Sequence, residues 1–188
     1  KETYFLLTIT WIVFSLFGLL PFIFTNAIPN FTDAFFETIS GVTTTGSSVL
    51  NNIESISHGV VFWRSAIQWL GGMGSLIVFL AILPLLSDLE DVRLLSFDSA
   101  KLSTSKLTPR IIQTVKWLWF IYLFITLLET FFLKLAGMNF FDAICHSFAT
   151  VSTGGFSTKQ NNIAYWNSSA VEYTIISFMI LSGIGFII

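Results

Sequence analysis

Charge is scarce in this sequence. Asp, Glu, Lys and Arg together make up 11% of the 188 residues, against about one quarter in a soluble domain. So little charge excludes an ordinary water-soluble fold and leaves an integral membrane chain. The formal net charge of −2 gives no electrostatic reason to bind nucleic acid. Cysteine is nearly absent: Cys145 stands alone, which excludes a disulfide framework and a cysteine-rich metal site. Lys and Arg are missing from residues 26–59, and residues 138–169 carry Lys159 alone. The first apolar run, about 20 residues, is too long for a signal-peptide core and no small-residue cleavage site follows it, so it reads as a span. The last residues are apolar, and both ends read as cut from a longer polytopic protein.

What is present is apolar: 54% of residues are hydrophobic and 16% aromatic, with a mean hydropathy of +0.78. Residues 4–24, 62–86, 111–136 and 170–188 are apolar runs near the ~20 residues a membrane-crossing helix needs. Trp11, Trp63, Trp117, Trp119 and Trp166 lie mostly toward their ends, as an interfacial aromatic belt requires. The connection 87–110 carries Arg93, Lys101, Lys106 and Arg110, with Lys116 just beyond, alongside Asp88, Glu90, Asp91 and Asp98. The positive-inside rule puts this linker in the cytoplasm and the two other connections outside.

Those outer connections are not plain loops. Shifting the chain by 109 residues without gaps lays Asn30 on Asn139, Phe31 on Phe140, Asp33 on Asp142 and Ala34 on Ala143. It also lays Val42 on Val151, Thr44 on Thr153, Gly46 on Gly155 and Ser48 on Ser157. A fixed-offset echo of this kind marks a duplicated unit. Each copy predicts a helix, Phe31–Val42 or Phe140–Val151, of 12 residues, or about 18 Å, enough to enter a bilayer but not to cross it. Asn30 and Asn139 are N-caps, and Asp33 and Asp142 favour the positive end of each dipole. The helices would then start outside and aim partially negative C-termini into the membrane, where a cation is favoured.

A run of small residues follows each helix: Thr43, Thr44, Thr45, Gly46 and Ser47 in the first, Ser152, Thr153, Gly154, Gly155 and Phe156 in the second. Extended backbone at membrane depth must be buried in protein or line a watery cavity. Carbonyl oxygens there can replace the hydration shell of an alkali cation. Glycine supplies the positive φ that turns a carbonyl toward an axis.

These phrases, with Phe62-Trp63-Arg64 and Gln68-Trp69-Leu70-Gly71-Gly72-Met73-Gly74, resemble the Trk/Ktr/HKT superfamily of potassium transporters, and among them the bacterial Trk and Ktr membrane subunits. The resemblance covers essentially the whole chain. It implies four span–pore–span units around one pore, of which this chain would hold two, with Gly46 and Gly155 as the filter glycines. The third and fourth units are absent from this sequence, as is the family's gating loop in the third. The resemblance also implies a homodimer on a cytosolic nucleotide-binding regulatory subunit of the TrkA/KtrA kind, with no signature here beyond the cytosolic linker.

Other residues carry competing readings. Asp33, Glu37, Glu54, Asp142 and Glu172 could concentrate cations at an outer mouth, although Asp33 and Asp142 serve equally as helix-start residues. Glu129, inside the third span, is an ion-path candidate, an ion-pair partner of Lys134 or an interfacial residue. Gly71, Gly72 and Gly74 form a pore-lining hinge or, as small residues in spans more often do, let helices approach. Arg64 reads as an interfacial anchor. Cys145, His58 and His146 lack the spacing of a zinc site. The glycosylation-type triplets at Asn30 and Asn167 carry little weight.

The expectation is an all-α integral membrane chain of the inner (plasma) membrane with tandem span–pore–span repeats, potassium-channel-like. Residues 1–86 form the first unit, 87–110 a cytosolic linker and 111–188 the second. The function is potassium permeation, with membrane lipid around it, no catalytic residues and no cofactor; sodium permeation or coupling is the alternative ion chemistry. A non-conducting scaffold, or an intramembrane enzyme using Glu129, Asp142 or His146, are the rival classes.

Overall fold

The computed structural model describes residues 2–86 and 104–184, whose regular elements are all helical, with no strand among them. The chain runs α1 (Glu2–Gly18), α2 (Leu20–Phe24), α3 (Phe31–Val42), α4 (His58–Leu86), α5 (Thr104–Leu135), α6 (Phe140–Val151) and α7 (Ser169–Ile184). Short 3₁₀ turns at Ile53–Ser55 and Asn162–Trp166 follow the two small-residue runs. Most linker charges named above lie outside the described residues.

The first span is two pieces rather than one. Pro21 lacks the N–H that would continue the ladder, and the helix breaks at Leu19 before α2 resumes. The second and third spans begin earlier than their apolar runs, at His58 and Thr104, because helix continues into polar residues. Among the described residues, Gln113–Leu135 alone is both long and apolar enough to cross a bilayer.

The faces of α5 show which solvent the fold expects. Phe120, Phe124, Leu127 and Phe131 are exposed, at spacings of four, three and four. Tyr122, Thr126, Glu129 and Leu133 repeat that spacing and are buried. Apolar groups outside and polar groups within suit a helix facing lipid, where helix association rests on close packing and hydrogen bonds.

Two half-helices sit inside this frame. The first, α3, packs on α1 and α4; the second, α6, packs on α4, α5 and α7. Leu19, Phe22, Ile28, Ala34, Val42, Val60 and Ile67 form the core of the first unit, and Leu133, Met138, Ala143, Val171 and Ile175 that of the second. Met73 of α4, Tyr122 of α5 and Val151 of α6 join the two. Trp69 completes the joint: its Nε1 donates to Thr126 Oγ1 at 3.0 Å, and Tyr122 donates to its carbonyl at 2.9 Å.

The glycines of α4 are packing positions. Gly71 lies against the Val42 carbonyl, Gly72 against Ser152 and the Tyr122 hydroxyl, and Gly74 faces Trp11. Close approach, rather than hinging, accounts for Gly71 and Gly72.

Candidate functional site

The two half-helices begin and end alike. Asn30 Oδ1 accepts from Thr32 N at 3.0 Å, and Asn139 Oδ1 from Phe141 N at 3.2 Å, so both caps form. Each helix ends where its small-residue run begins, and each run turns in the same way. Thr44 and Thr153 have φ of 56° and 57°, and Gly46 and Gly155 have φ of 77° and 80°. Left-handed residues therefore recur at alternate positions in both copies. At the threonines this conformation is strained for an L-residue; at the glycines it costs little.

The amides of these runs turn backward. Thr45 N and Gly46 N donate to Ser40 O at 2.9 and 3.3 Å; Gly154 N and Gly155 N donate to Ala149 O at 2.8 and 3.3 Å. Both pairs close onto a carbonyl in the last turn of the preceding half-helix, which satisfies helix-end groups that would otherwise be orphans. Among the described residues, no donor reaches the carbonyls of Thr43, Thr44, Thr45 and Gly46, or those of Thr153, Gly154, Gly155 and Phe156. Ser47 and Ser152 differ. Ser47 O accepts from Ser40 Oγ at 2.6 Å, and Ser152 O from Thr153 Oγ1 at 2.7 Å.

The runs also meet. A side-chain carbon at Gly46 would collide with the Gly154 carbonyl, and one at Gly154 would collide with Gln68. Gln68 is buried on α4, and its Oε1 accepts from Phe156 N at 3.2 Å. Its Nε2 has no partner and lies within van der Waals reach of a side-chain carbon placed on Gly46. Beneath the runs, a cavity of about 220 Å³ is lined by Thr44, Gly72, Ser75, Tyr122, Ser152 and Thr153. Val151, the last residue of α6, lines it, and Thr44 follows the end of α3 by two residues, so the negative ends of both half-helices lie close to it.

Several residues lie elsewhere than their patterns suggest. Glu37 is fully buried and Arg64 is 2% exposed; they pair at 2.6 Å, so Glu37 is not at an outer mouth and Arg64 is not an interfacial anchor. Asp142 is also withdrawn, accepting from Thr158 Oγ1 at 2.7 Å, whereas Glu54 and Glu172 are exposed. Glu129 is buried without Lys134, its carboxylate facing the Thr150 hydroxyl without good hydrogen-bond geometry. His146 Nε2 lies 3.2 Å from Ser157 Oγ, and its ring stands edge-on to Trp166. Glu129, Asp142 and His146 thus engage different groups, and no cluster of metal-ligating side chains occurs among the described residues.

Spacing on the helices held a signal for the buried pair. Ala34, Glu37, Thr38 and Gly41 share the inward face of α3, and Val60, Arg64, Ile67 and Gly71 that of α4. A charge in the middle of each inward stripe points into protein.

Paired half-helices ending in glycine-bearing, left-handed runs define the class: a tandem span–pore–span membrane chain. The family described as TrkH, cation transport protein, matches residues 1–188, and the chain belongs to it. It is 41% identical over 186 residues to the Trk system potassium uptake protein TrkH of Escherichia coli K12, covering 97% of this chain and 38% of that protein. The corresponding protein of Halomonas elongata is 40% identical over 187 residues, with 99% and 39% covered. The crystal structure of the potassium transporter TrkH from Vibrio parahaemolyticus superposes with a TM-score of 0.79 at 36% identity, over 96% of this chain and 35% of that one. The chain therefore spans well under half the length of these relatives. Membership in a transport family sets the enzyme reading aside.

Proposed function

We propose that this chain forms two adjacent walls of a potassium-conducting pore belonging to a longer membrane protein. The observation that carries the reading is the repeated backbone: two runs in contact, with amides tied back and successive carbonyls left without donors. Such carbonyls suit a partly dehydrated alkali cation, and the half-helix dipoles add to its stabilisation. Thr43, Thr44, Thr45, Gly46 and Ser47 would contribute from the first wall, and Ser152, Thr153, Gly154, Gly155 and Phe156 from the second. Ser47 and Ser152 contribute less freely, since their carbonyls already accept a hydroxyl. Residues 1–86 and 111–188 would be the two units, joined through the cytosol by 87–110. A homodimer and a cytosolic nucleotide-binding subunit belong to the same proposal. It is consistent with relatives named as parts of a Trk system.

The test is rubidium and potassium uptake by the full-length protein in cells lacking other potassium systems. Gly155→Asp places a charged side chain on a left-handed residue of the run. Uptake is expected to fall at least about a hundredfold, a barrier change of roughly 2.7 kcal/mol, at unchanged protein level. Wild-type uptake and ion preference in this variant would overturn the reading.

A further inference from the structure

Arg64 and Glu37 are an ion pair inside the protein, with side chains 3% and 0% exposed. Stability alone is a poor reason to bury such a pair, because dehydrating both charges offsets most of their attraction. What the pair holds is more informative. Glu37 Oε1 accepts from Ser48 Oγ at 2.9 Å, and Oε2 accepts from Val49 N at 2.9 Å. Those residues begin the chain that leaves the first run. Arg64 Nε donates to Glu37, while its Nη1 donates to Ser157 O at 2.9 Å. Its guanidinium lies 3.6 Å from the centre of the Phe156 ring. Phe156 closes the second run, and Ser157 begins the chain that leaves it. The pair therefore ties two exits that are distant in sequence.

The repeat shows that this is not a generic feature of the unit. At the 109-residue offset, Glu37 corresponds to His146, and Ser48 to Ser157. The contact between these two positions is kept, as Ser48 to Glu37 and as His146 to Ser157. The helices that follow start at His58 and Ser169, two residues out of that register, and the buried Val60, Arg64, Ile67 and Gly71 match the buried Val171, Ile175, Phe178 and Ser182. Arg64 is therefore replaced by Ile175 and Gln68 by Met179, neither of which can make these bonds. Each unit thus secures its own exit hydroxyl, but only the first has an arginine that reaches its neighbour. One turn along α4, Gln68 adds a second bond to the same neighbour, at Phe156 N.

We infer that Arg64 and Glu37 are positioning residues for ion discrimination, setting the spacing of the two adjacent runs by clamping their exits from behind. The inference rests on the pore reading. A carbonyl cage of fixed wall separation can discriminate between cations, and this clamp, together with the Gln68 bond, opposes the walls drifting apart. Arginine is needed for its planar fork, which meets a carboxylate and a carbonyl at once; lysine offers a point charge.

The test compares wild type, Arg64→Lys and Glu37→Gln in the full-length protein. Inhibition of rubidium uptake by sodium is measured together with KM for potassium. Both variants keep a side chain that can still bond inside the site, so both are chosen to remain folded; elution profile and melting temperature check this. The expected result is a loss of potassium-over-sodium preference of about tenfold, corresponding to roughly 1.4 kcal/mol, with a raised KM. A purely structural role predicts that uptake falls in proportion to protein amount while ion preference and KM stay fixed. That outcome in either folded variant overturns the proposal. Absence of potassium uptake by wild type would instead overturn the pore reading.

Discussion

Gly71 shows how much can depend on one hydrogen atom. Its α-hydrogen faces the carbonyl of Val42, the last residue of α3, and a methyl group there would overlap that oxygen. The obstacle is backbone at a helix end, which cannot swing aside as a flexible side chain does. Gly71→Ala is therefore expected to cost about 1–3 kcal/mol, the usual range for overpacking, and to lower the melting temperature of the purified full-length protein. Gly59 on the same helix has nothing within 4 Å, and Gly59→Ala should leave that temperature unchanged or slightly raised. Equal behaviour of the two variants would contradict the packing account. Gly46 is constrained twice, by φ of 77° and by the Gly154 carbonyl beside it.

At the scale of elements, the half-helices matter most, because they are short. Each has 12 residues, marginal for an isolated helix in water, so caps and neighbours decide whether it forms. Asn139 satisfies an amide at the start of α6, and its replacement by alanine leaves that donor without its partner. Asn139→Ala should cost about 1 kcal/mol, visible as a lower melting temperature, while serine at this position should restore most of it. Loss of the same size with serine would place the asparagine's role outside capping. At the other end, Thr43 Oγ1 donates to Ile39 O and Ser152 Oγ to Phe148 O, so hydroxyls occupy carbonyls in the last turn of each helix. The Thr and Ser residues of these runs thus serve the helix ends as well as supplying hydroxyls near the free carbonyls.

For the whole molecule, the governing fact is which surfaces meet lipid and which meet protein. The exposed stripe of α5 is wholly apolar, and Leu127, at 58% exposure, lies near its middle. Leu127→Arg should disfavour insertion by about 2.5–3.5 kcal/mol on the translocon scale. A glycosylation-tag or protease-accessibility assay should then find less inserted protein. Unchanged insertion would mean that this face is covered by protein in the full-length molecule. The buried stripe behaves differently: Thr126 and Thr130 hydrogen-bond to Trp69 and Ser147, which links α5 to both α4 and α6. The two units are thus joined by polar contacts and aromatic packing around Trp69, and by the Arg64 clamp nearer the exits of the runs.

Much of the architecture was legible in the chain itself. Membrane class follows from missing charge, and duplication follows from a constant offset. The ends of α3 and α6 follow from a cap at one side and a small-residue run at the other. These are local properties, decided within a turn or two of helix, so a sequence window contains their causes. The partners of charged residues are not local. Arg64 finds Glu37 and Ser157 at sequence separations of 27 and 93 residues, and only the packing of α4 between the half-helices brings these groups within hydrogen-bond distance. Their place in the outer connections likewise offered Glu37 as an outer-mouth acid and Asp142 as that or a helix-start residue, whereas folding buried both in hydrogen bonds. The sequence by itself determined that two glycine-bearing runs would stand in a membrane. The tertiary structure decided that they touch at Gly46 and Gly154, and that one buried ion pair holds their exits together, because contact between segments is a property of packing.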